Sequence, residues 1–487
     1  MFDLVIRNGQ VVFPGKYIKR TDIAVLHGKI SLIGDDLGEL ETKKTIDATN
    51  RYVIPGVIDS HFHIGIYRPF EDDAKSESAS AAAGGVTTIL SYFRSGRNYM
   101  NVSENYSTLF KRVLDLSKGN FFTDYGFNLA PITKQHVEEI PELVERYGVS
   151  TFKYYMFYKG LNLRGDVKKG SVEKEYLLSD EPYDLGHLYN IMEKIASLKE
   201  RFPGVRLSLH AEDSEIIRVN LEKTKRDMEE LNLNPLEAYS RARPPVSERI
   251  AIIEAFEIAY ETGCPIHIVH VTSKLALETI NEMKRNYPSV DVTVEATPSH
   301  LTLTTDSEVG VQGKVNPPIR PKGDRDFLWS GIINNQINTV GSDHAAIESV
   351  KKGNRLWDAE SGYGATELLL PALITEGHIK RKIPLEKIIS LITTNPAIVH
   401  GLYGKKGDIS VGFDADLVIL DINKKKKVKY NELHSAQDFS PFEGLELSGW
   451  PDITILRGNI TYSEGKFGDP VGEYIKRPVR MSGAEIK

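Results

Sequence analysis

One cysteine, Cys264, and three tryptophans are all that 487 residues supply of those two types. A single thiol excludes an internal disulfide, so a reducing, cytoplasmic setting is the expectation. No stretch approaches the roughly eighteen apolar residues that a membrane-spanning helix needs. Charge of one sign is not in excess either: 61 basic against 67 acidic side chains leave a net charge of −6. That balance gives no electrostatic reason to expect nucleic acid or a membrane surface as a partner. The opening MFDLVIRNGQ carries an acid early and no long apolar run, so no signal peptide is expected. What remains, 40% hydrophobic and 26% charged, suits one large globular domain with a smaller companion.

The first fifty residues are short alternating segments broken by turn residues, among them Leu4–Arg7, Val11–Phe13, Asp22–Val25 and Lys29–Ile33. The texture returns in Asp416–Leu420 and Asp452–Leu456. Such segments predict a small β-sandwich domain built from both chain ends, residues 1–54 plus 405–465. Between them, eight apolar strand-like runs occur at Tyr52–Ile58, Val86–Tyr92, Tyr125–Leu129, Val149–Tyr154, Val205–Leu209, Pro265–Val269, Val292–Ala296 and Ile337–Gly341. Most are separated by helical patterns such as Glu248–Glu261, and this alternation predicts a (β/α)8 barrel, an α/β fold, over residues 55–404. Residues 466–487, with Pro470, Pro478 and Arg480, read as an extended tail that wraps a partner subunit, and Lys424–Lys427 as a solvated turn.

In such a barrel the functional residues sit at the C-terminal strand ends. The first strand runs into His61-Phe62-His63, whose two imidazoles point the same way on an extended backbone. The fifth ends at His210. The sixth contains His267 and His270, three apart and so on opposite faces of a regular strand; His270, at the end, is the expected ligand, and His267 is expected to pack outward, hydrogen-bonded. The eighth ends at Asp343-His344, with Asp343 at the rim and His344 in a supporting role. Imidazole and carboxylate suit zinc, with nickel, cobalt or manganese as substitutes, and this many ligand-type residues predict two metal ions.

The run TFKYYMFYKG (151–160) places Lys153 in an apolar, aromatic strand. Such a lysine can snorkel to solvent or pair with an acid. Beside four rim histidines a third reading is stronger: burial lowers the amine's pKa, and the neutral amine takes up carbon dioxide. The resulting carbamate is anionic and can bridge two cations, which offset the cost of burying it.

At this point the sequence resembles the amidohydrolase superfamily, and within it the dihydropyrimidinase/hydantoinase branch of cyclic amidohydrolases, from residue 1 to about 465. The motifs that carry the resemblance are PGVIDSHFH, AAAGGVTT, FKYYMFYKG, LHAED, IVHVTS, NPPIR, GSDH, TTNPA, GLYGKKGDISVGFDADLVI and FSPFEG. The resemblance implies a zinc enzyme with His61, His63 and Asp343 on one metal, His210 and His270 on the other, and N6-carboxylysine at position 153 bridging them together with a hydroxide. It implies that the Tyr158 hydroxyl and one metal hold the oxyanion. Asp343 would act as base and then acid. The substrate, a cyclic ureide or imide, would be read by backbone groups near Asn316 and Ser361. A homotetramer or homodimer is also implied.

Departures from the family pattern concern the substrate pocket. Dihydroorotases of similar sequence carry an arginine two residues after the second histidine; here Gly65 stands there, with Arg68 nearby. Asn316 is more dihydroorotase-like, His-Ala-Ala follows Asp343, and the glycine-rich loop reads Ser361-Gly-Tyr-Gly-Ala-Thr-Glu367. Allantoinase and then dihydroorotase are the alternatives within the enzyme class. Outside it stands a non-catalytic scaffold of the dihydropyrimidinase-related kind, against which the full set of ligand-type residues argues.

Overall fold

The computed structural model describes residues 1–96, 98–159 and 182–477. Gly160, at the end of the Lys153 run, and Pro478 and Arg480 of the tail lie outside them.

Eight parallel strands form one sheet in sequence order: Val57–Phe62, Val86–Arg94, Asp124–Ala130, Thr151–Tyr155, Arg206–His210, Ile266–Ile268, Val292–Ala296 and Thr339–Val340. They are here called the first to eighth barrel strands. The second strand is buried at every position, as expected of a parallel strand covered on both faces. The eighth strand is short, and the barrel is joined beyond it by a parallel bridge between Phe62 and His344, where His63 N donates to the His344 carbonyl at 2.8 Å. Helices such as Phe70–Ala83, Tyr106–Ser117, Leu185–Ala196, Pro245–Thr262 and Lys274–Asn286 form the outer layer. One continuous core, from Ile54 through Phe127, Leu207 and Val294 to Ile389, fills the space between helices and barrel.

Nine further strands, drawn from Leu4–Pro55 and Leu417–Phe467, form a separate, mostly antiparallel sheet domain. It encloses its own core of Leu4, Ile6, Val25, Val53, Leu417 and Ile455.

The first barrel strand begins later than its apolar run predicts. Tyr52–Pro55 belongs to the second sheet, where it pairs with Leu417–Leu420 and with Gln10–Val11. Gly56 divides the run: a Cβ there would lie 2.0 Å from Thr87 Oγ1, so only glycine lets the chain pass the second barrel strand and enter the barrel. Apolar character is shared by both halves, so composition alone could not locate the change of sheet.

Lys424–Lys427 is not a turn. It ends the strand Leu417–Lys427, with Lys425–Lys427 paired to Glu446–Ser448 and Lys424 bonded to Asp452 at 2.6 Å. The described part of the tail packs on its own barrel: Ile475 N donates to the Tyr125 carbonyl, and the buried Arg477 donates to the Phe127 carbonyl at 2.6 Å.

Candidate active site

The C-terminal strand ends surround a cavity of about 270 Å³ lined by His61, His63, Lys153, His210, His270 and Asp343. Tyr158, Asn316 and Ser361 line it as well, so every expected site residue reaches one space.

His61, His63 and Asp343 form a tight group. Asp343 Oδ1 lies 3.1 Å from His61 Nε2 and 3.3 Å from His63 Nε2. The outer nitrogens are held: His61 Nδ1 lies 2.6 Å from Glu295 Oε1, and His63 Nδ1 lies 2.7 Å from the Tyr99 hydroxyl. Ring nitrogens anchored from behind leave their partners free to face an ion, the arrangement usual for metal-binding histidines. Gly341 makes this packing possible, since a Cβ there would come 2.7 Å from the His61 Cβ and 2.8 Å from Glu295 Oε2.

His210 and His270 form the second group, with ring centroids 4.3 Å apart. His210 Nε2 lies 2.6 Å from Glu212 Oε2, and the Arg243 guanidinium clasps Glu212 through Nε at 3.0 Å and through Nη2. The LHAED motif thereby divides its work. His210 faces the cavity, Glu212 orients it, and Asp213 caps the helix Ser214–Asp227 by accepting from Ile216 N.

Lys153 is wholly buried, and its Nζ has no hydrogen-bond partner. It lies 4.3 Å from the Tyr92 ring centroid. The Tyr155 ring centroid lies 5.3 Å away, and since the Tyr92 ring packs 4.6 Å from His61 and the Tyr155 ring 6.4 Å from His210, Lys153 sits between the two groups. Burial pushes the ammonium down to about 7, although Asp343 and Glu295 pull the other way.

Burial likewise holds His63 and His210 down to about 4, against the pull of Asp343 and Glu212 respectively, and holds His270 well below its ordinary value. Burial alone would raise Asp343; His61 and His63 outweigh it and hold the carboxyl below its usual value. Neutral imidazoles, an ionised carboxylate and a lysine near neutrality are the protonation states that metal ligation requires.

The donor set fits divalent cations. Lys153 Nζ and His270 Nδ1 are both buried polar atoms without a partner, and each lines the space that ions would fill. His61, His63 and Asp343 lie close enough together to hold one ion.

His267 corrects an expectation. It shares a register layer with Lys153, Ser208 and Thr293, and so faces into the barrel rather than outward. There it bonds Thr293 Oγ1 at 2.8 Å and faces Glu295. His267 and His270 both point inward because regular strand ends at Ile268 and His270 adopts a positive φ of 38°, which breaks the period of two. Asp343 does the same with φ 54°. His344 supports the rim, bonded to Glu77 at 2.9 Å and accepting from Ala365 N and Thr366 N. Arg68 does not reach the cavity; it turns to Asp73, Ser76 and Glu77.

Glu295, Glu212, Arg243, Tyr99 and Arg94 are the residues that strand-end reasoning passed over. The signal available for the two carboxylates was a glutamate at or just past a strand end, in VEA and LHAED.

Barrel and site together define a metal-ligating hydrolase of the TIM-barrel type. The amidohydrolase family model matches residues 234–462. A D-hydantoinase of Geobacillus stearothermophilus is 30% identical over 97% of this chain and 96% of its own length. An allantoinase of Desulfitobacterium hafniense is also 30% identical, over 98% and 99% respectively. The solved structure of an L-hydantoinase (dihydropyrimidinase) from Arthrobacter aurescens superposes with a TM-score of 0.84 at 28% identity, covering 98% of this chain and all of that one. The chain belongs to the amidohydrolase family, on its hydantoinase and dihydropyrimidinase branch.

Proposed function

We propose that this enzyme opens the cyclic amide bond of a ureide or imide ring of the dihydropyrimidine or hydantoin type. His61, His63 and Asp343 would hold one divalent ion, zinc in the first instance, and His210 and His270 would hold a second. Lys153, as N6-carboxylysine, would supply an anionic ligand shared by the two sides. The observation that carries this reading is the buried, partnerless Lys153 Nζ between two histidine groups. An uncompensated lysine in that position is costly, whereas its carbamate would meet cations on both sides.

Bound metal ions would supply Lewis acidity, ionising water near neutral pH and polarising the ring carbonyl. The side chains do the rest. Asp343 accepts the proton of the attacking water and delivers it to the leaving ring nitrogen, base and then acid. Tyr158, half-buried on the cavity wall, donates its hydroxyl to the developing oxyanion. Backbone groups near Asn316 and Ser361 orient the ring. The segment is braced from behind by the Tyr239 hydroxyl, which donates to Asn316 Oδ1, and by the Tyr67 hydroxyl, which donates to the Ser361 carbonyl at 2.6 Å.

Allantoin ranks second as substrate, because an allantoinase is as similar in sequence as the hydantoinase. A homotetramer or homodimer in the cytoplasm completes the reading; among the described residues no helix is long and apolar enough to cross a membrane. The deciding experiment is a panel of dihydrouracil, hydantoins, allantoin, dihydroorotate and cyclic imides offered to metal-loaded enzyme. Opening of at least one ring is expected, and failure on all of them by protein with full metal content overturns the proposal.

A further inference from the structure

Arg94 ends the second barrel strand and lines the same cavity, yet the mechanism above makes no use of it. Its side chain is 5% exposed in relative terms. Each of the other buried arginines among the described residues is well engaged. Arg243 clasps Glu212, Arg320 bonds Glu248 at 2.9 Å, Arg206 pairs with Asp291 and bonds Thr293, and Arg477 donates to the Phe127 carbonyl at 2.6 Å. Arg94 makes one long bond, 3.4 Å from Nη1 to the carbonyl of its own neighbour Ser95. Beyond that, the rings of Tyr99 and Tyr158 lie 5.5 and 5.8 Å from its guanidinium carbon. Among the described residues no carboxylate pairs with it. Of the two acids among the described residues that line the cavity, Asp343 is engaged by His61 and His63, and Glu360 lies exposed to solvent.

A guanidinium cannot shed its proton to relieve burial, and its planar fork matches a carboxylate. Held on a strand end beside the Tyr158 ring, it is a fixed cationic docking point beside the reacting centre. We propose that Arg94 receives a carboxylate carried on the substrate ring, so that the enzyme acts on cyclic amides with an acidic side arm. This rests on the cyclic-amide reading and narrows it. A neutral ring would leave the guanidinium buried without a counter-charge, which is how a polar site rejects an analogue that lacks the matching group.

The test uses two rings of nearly equal shape, hydantoin-5-acetate and hydantoin-5-acetamide, with metal-loaded full-length enzyme. Wild type is expected to favour the acid in kcat/KM by roughly thirty-fold or more, the scale of a buried charge losing its partner. In Arg94→Gln that ratio is expected to fall to near one. Arg94→Lys, which keeps the charge and loses the fork, should fall between and replaces Arg94→Gln should the latter not fold. A wild type without preference, or a variant that keeps it, overturns the proposal while leaving ring opening intact. Should neither ring open, calorimetric binding of the two compounds decides: an Arg94-dependent preference for the acid upholds the anion site and equal binding overturns it, while ring opening itself stands or falls on the substrate panel above.

Discussion

Glu295, at the next-to-last position of the seventh barrel strand, reaches across to His61 and holds its Nδ1 at 2.6 Å, so that Nε2 is turned to within 3.1 Å of Asp343. The carboxylate is wholly buried, and although burial alone would raise its pKa, His61 and His267 hold it well below the usual range. It also accepts from Ser60 Oγ at 3.0 Å. A ligand oriented by an ionised carboxylate binds metal more tightly than one left to rotate. Glu295→Gln keeps the shape and removes the charge; metal affinity, read by chelator competition, is expected to fall about 10- to 100-fold. Unchanged affinity would show that Glu295 only fills space.

Tyr158 offers a cleaner separation of binding from chemistry. If its hydroxyl serves the oxyanion, Tyr158→Phe should lower kcat by about 10²- to 10³-fold with little change in KM or metal content. A rise in KM at constant kcat would assign it to ring binding instead.

The pH dependence of metal-free protein follows from three buried histidines. His63, His210 and His300 are each held down to about 4, against a reference value of 6.5, with burial the largest cause in every case. Between those limits the unfolded chain takes up protons that the folded chain refuses. The stability these residues contribute is therefore complete above about 6.5 and is lost as pH falls towards about 4. Asp73, pushed up to about 7 by burial and by Glu77, works in the opposite sense, as do the carboxyls of Asp59, Glu248 and Asp416 that burial raises. His267, His270 and His400, held down by burial, add to the first effect. The Tm of metal-free protein should fall as the buffer goes from pH 7 to pH 4.5, and a flat or rising Tm contradicts this.

Lys153→Ala removes the bridging side chain while leaving both histidine groups in place. Activity should be abolished and partly restored by added short carboxylic acids, which can occupy the vacated volume and present two oxygens. Full activity without rescue would rule out the carbamate.

Much of this site is legible in the sequence, and the reason is geometric. Period-two alternation and strand ends fix where His61, His63, Lys153 and His210 point, because those positions obey regular backbone rules. His267 escaped that reading because the sixth strand is only Ile266–Ile268 and the chain turns at His270. The boundary between the sheets escaped because Tyr52–Ile58 is apolar throughout and only a close approach at Gly56 divides it. Glu212, Glu295 and Arg94 escaped because each acts through a neighbour or a cavity assembled from distant strands. Nothing local distinguishes a glutamate that orients a histidine from one that caps a helix.

The most direct measurement is carbon-13 NMR of metal-replete protein prepared in labelled bicarbonate, for wild type and Lys153→Ala. A carbamate carbon resonance in wild type that is missing from the variant is the predicted result. Wild type that retains two ions per chain and full ring-opening activity, yet carries no such resonance, would contradict the carboxylated Lys153 bridge.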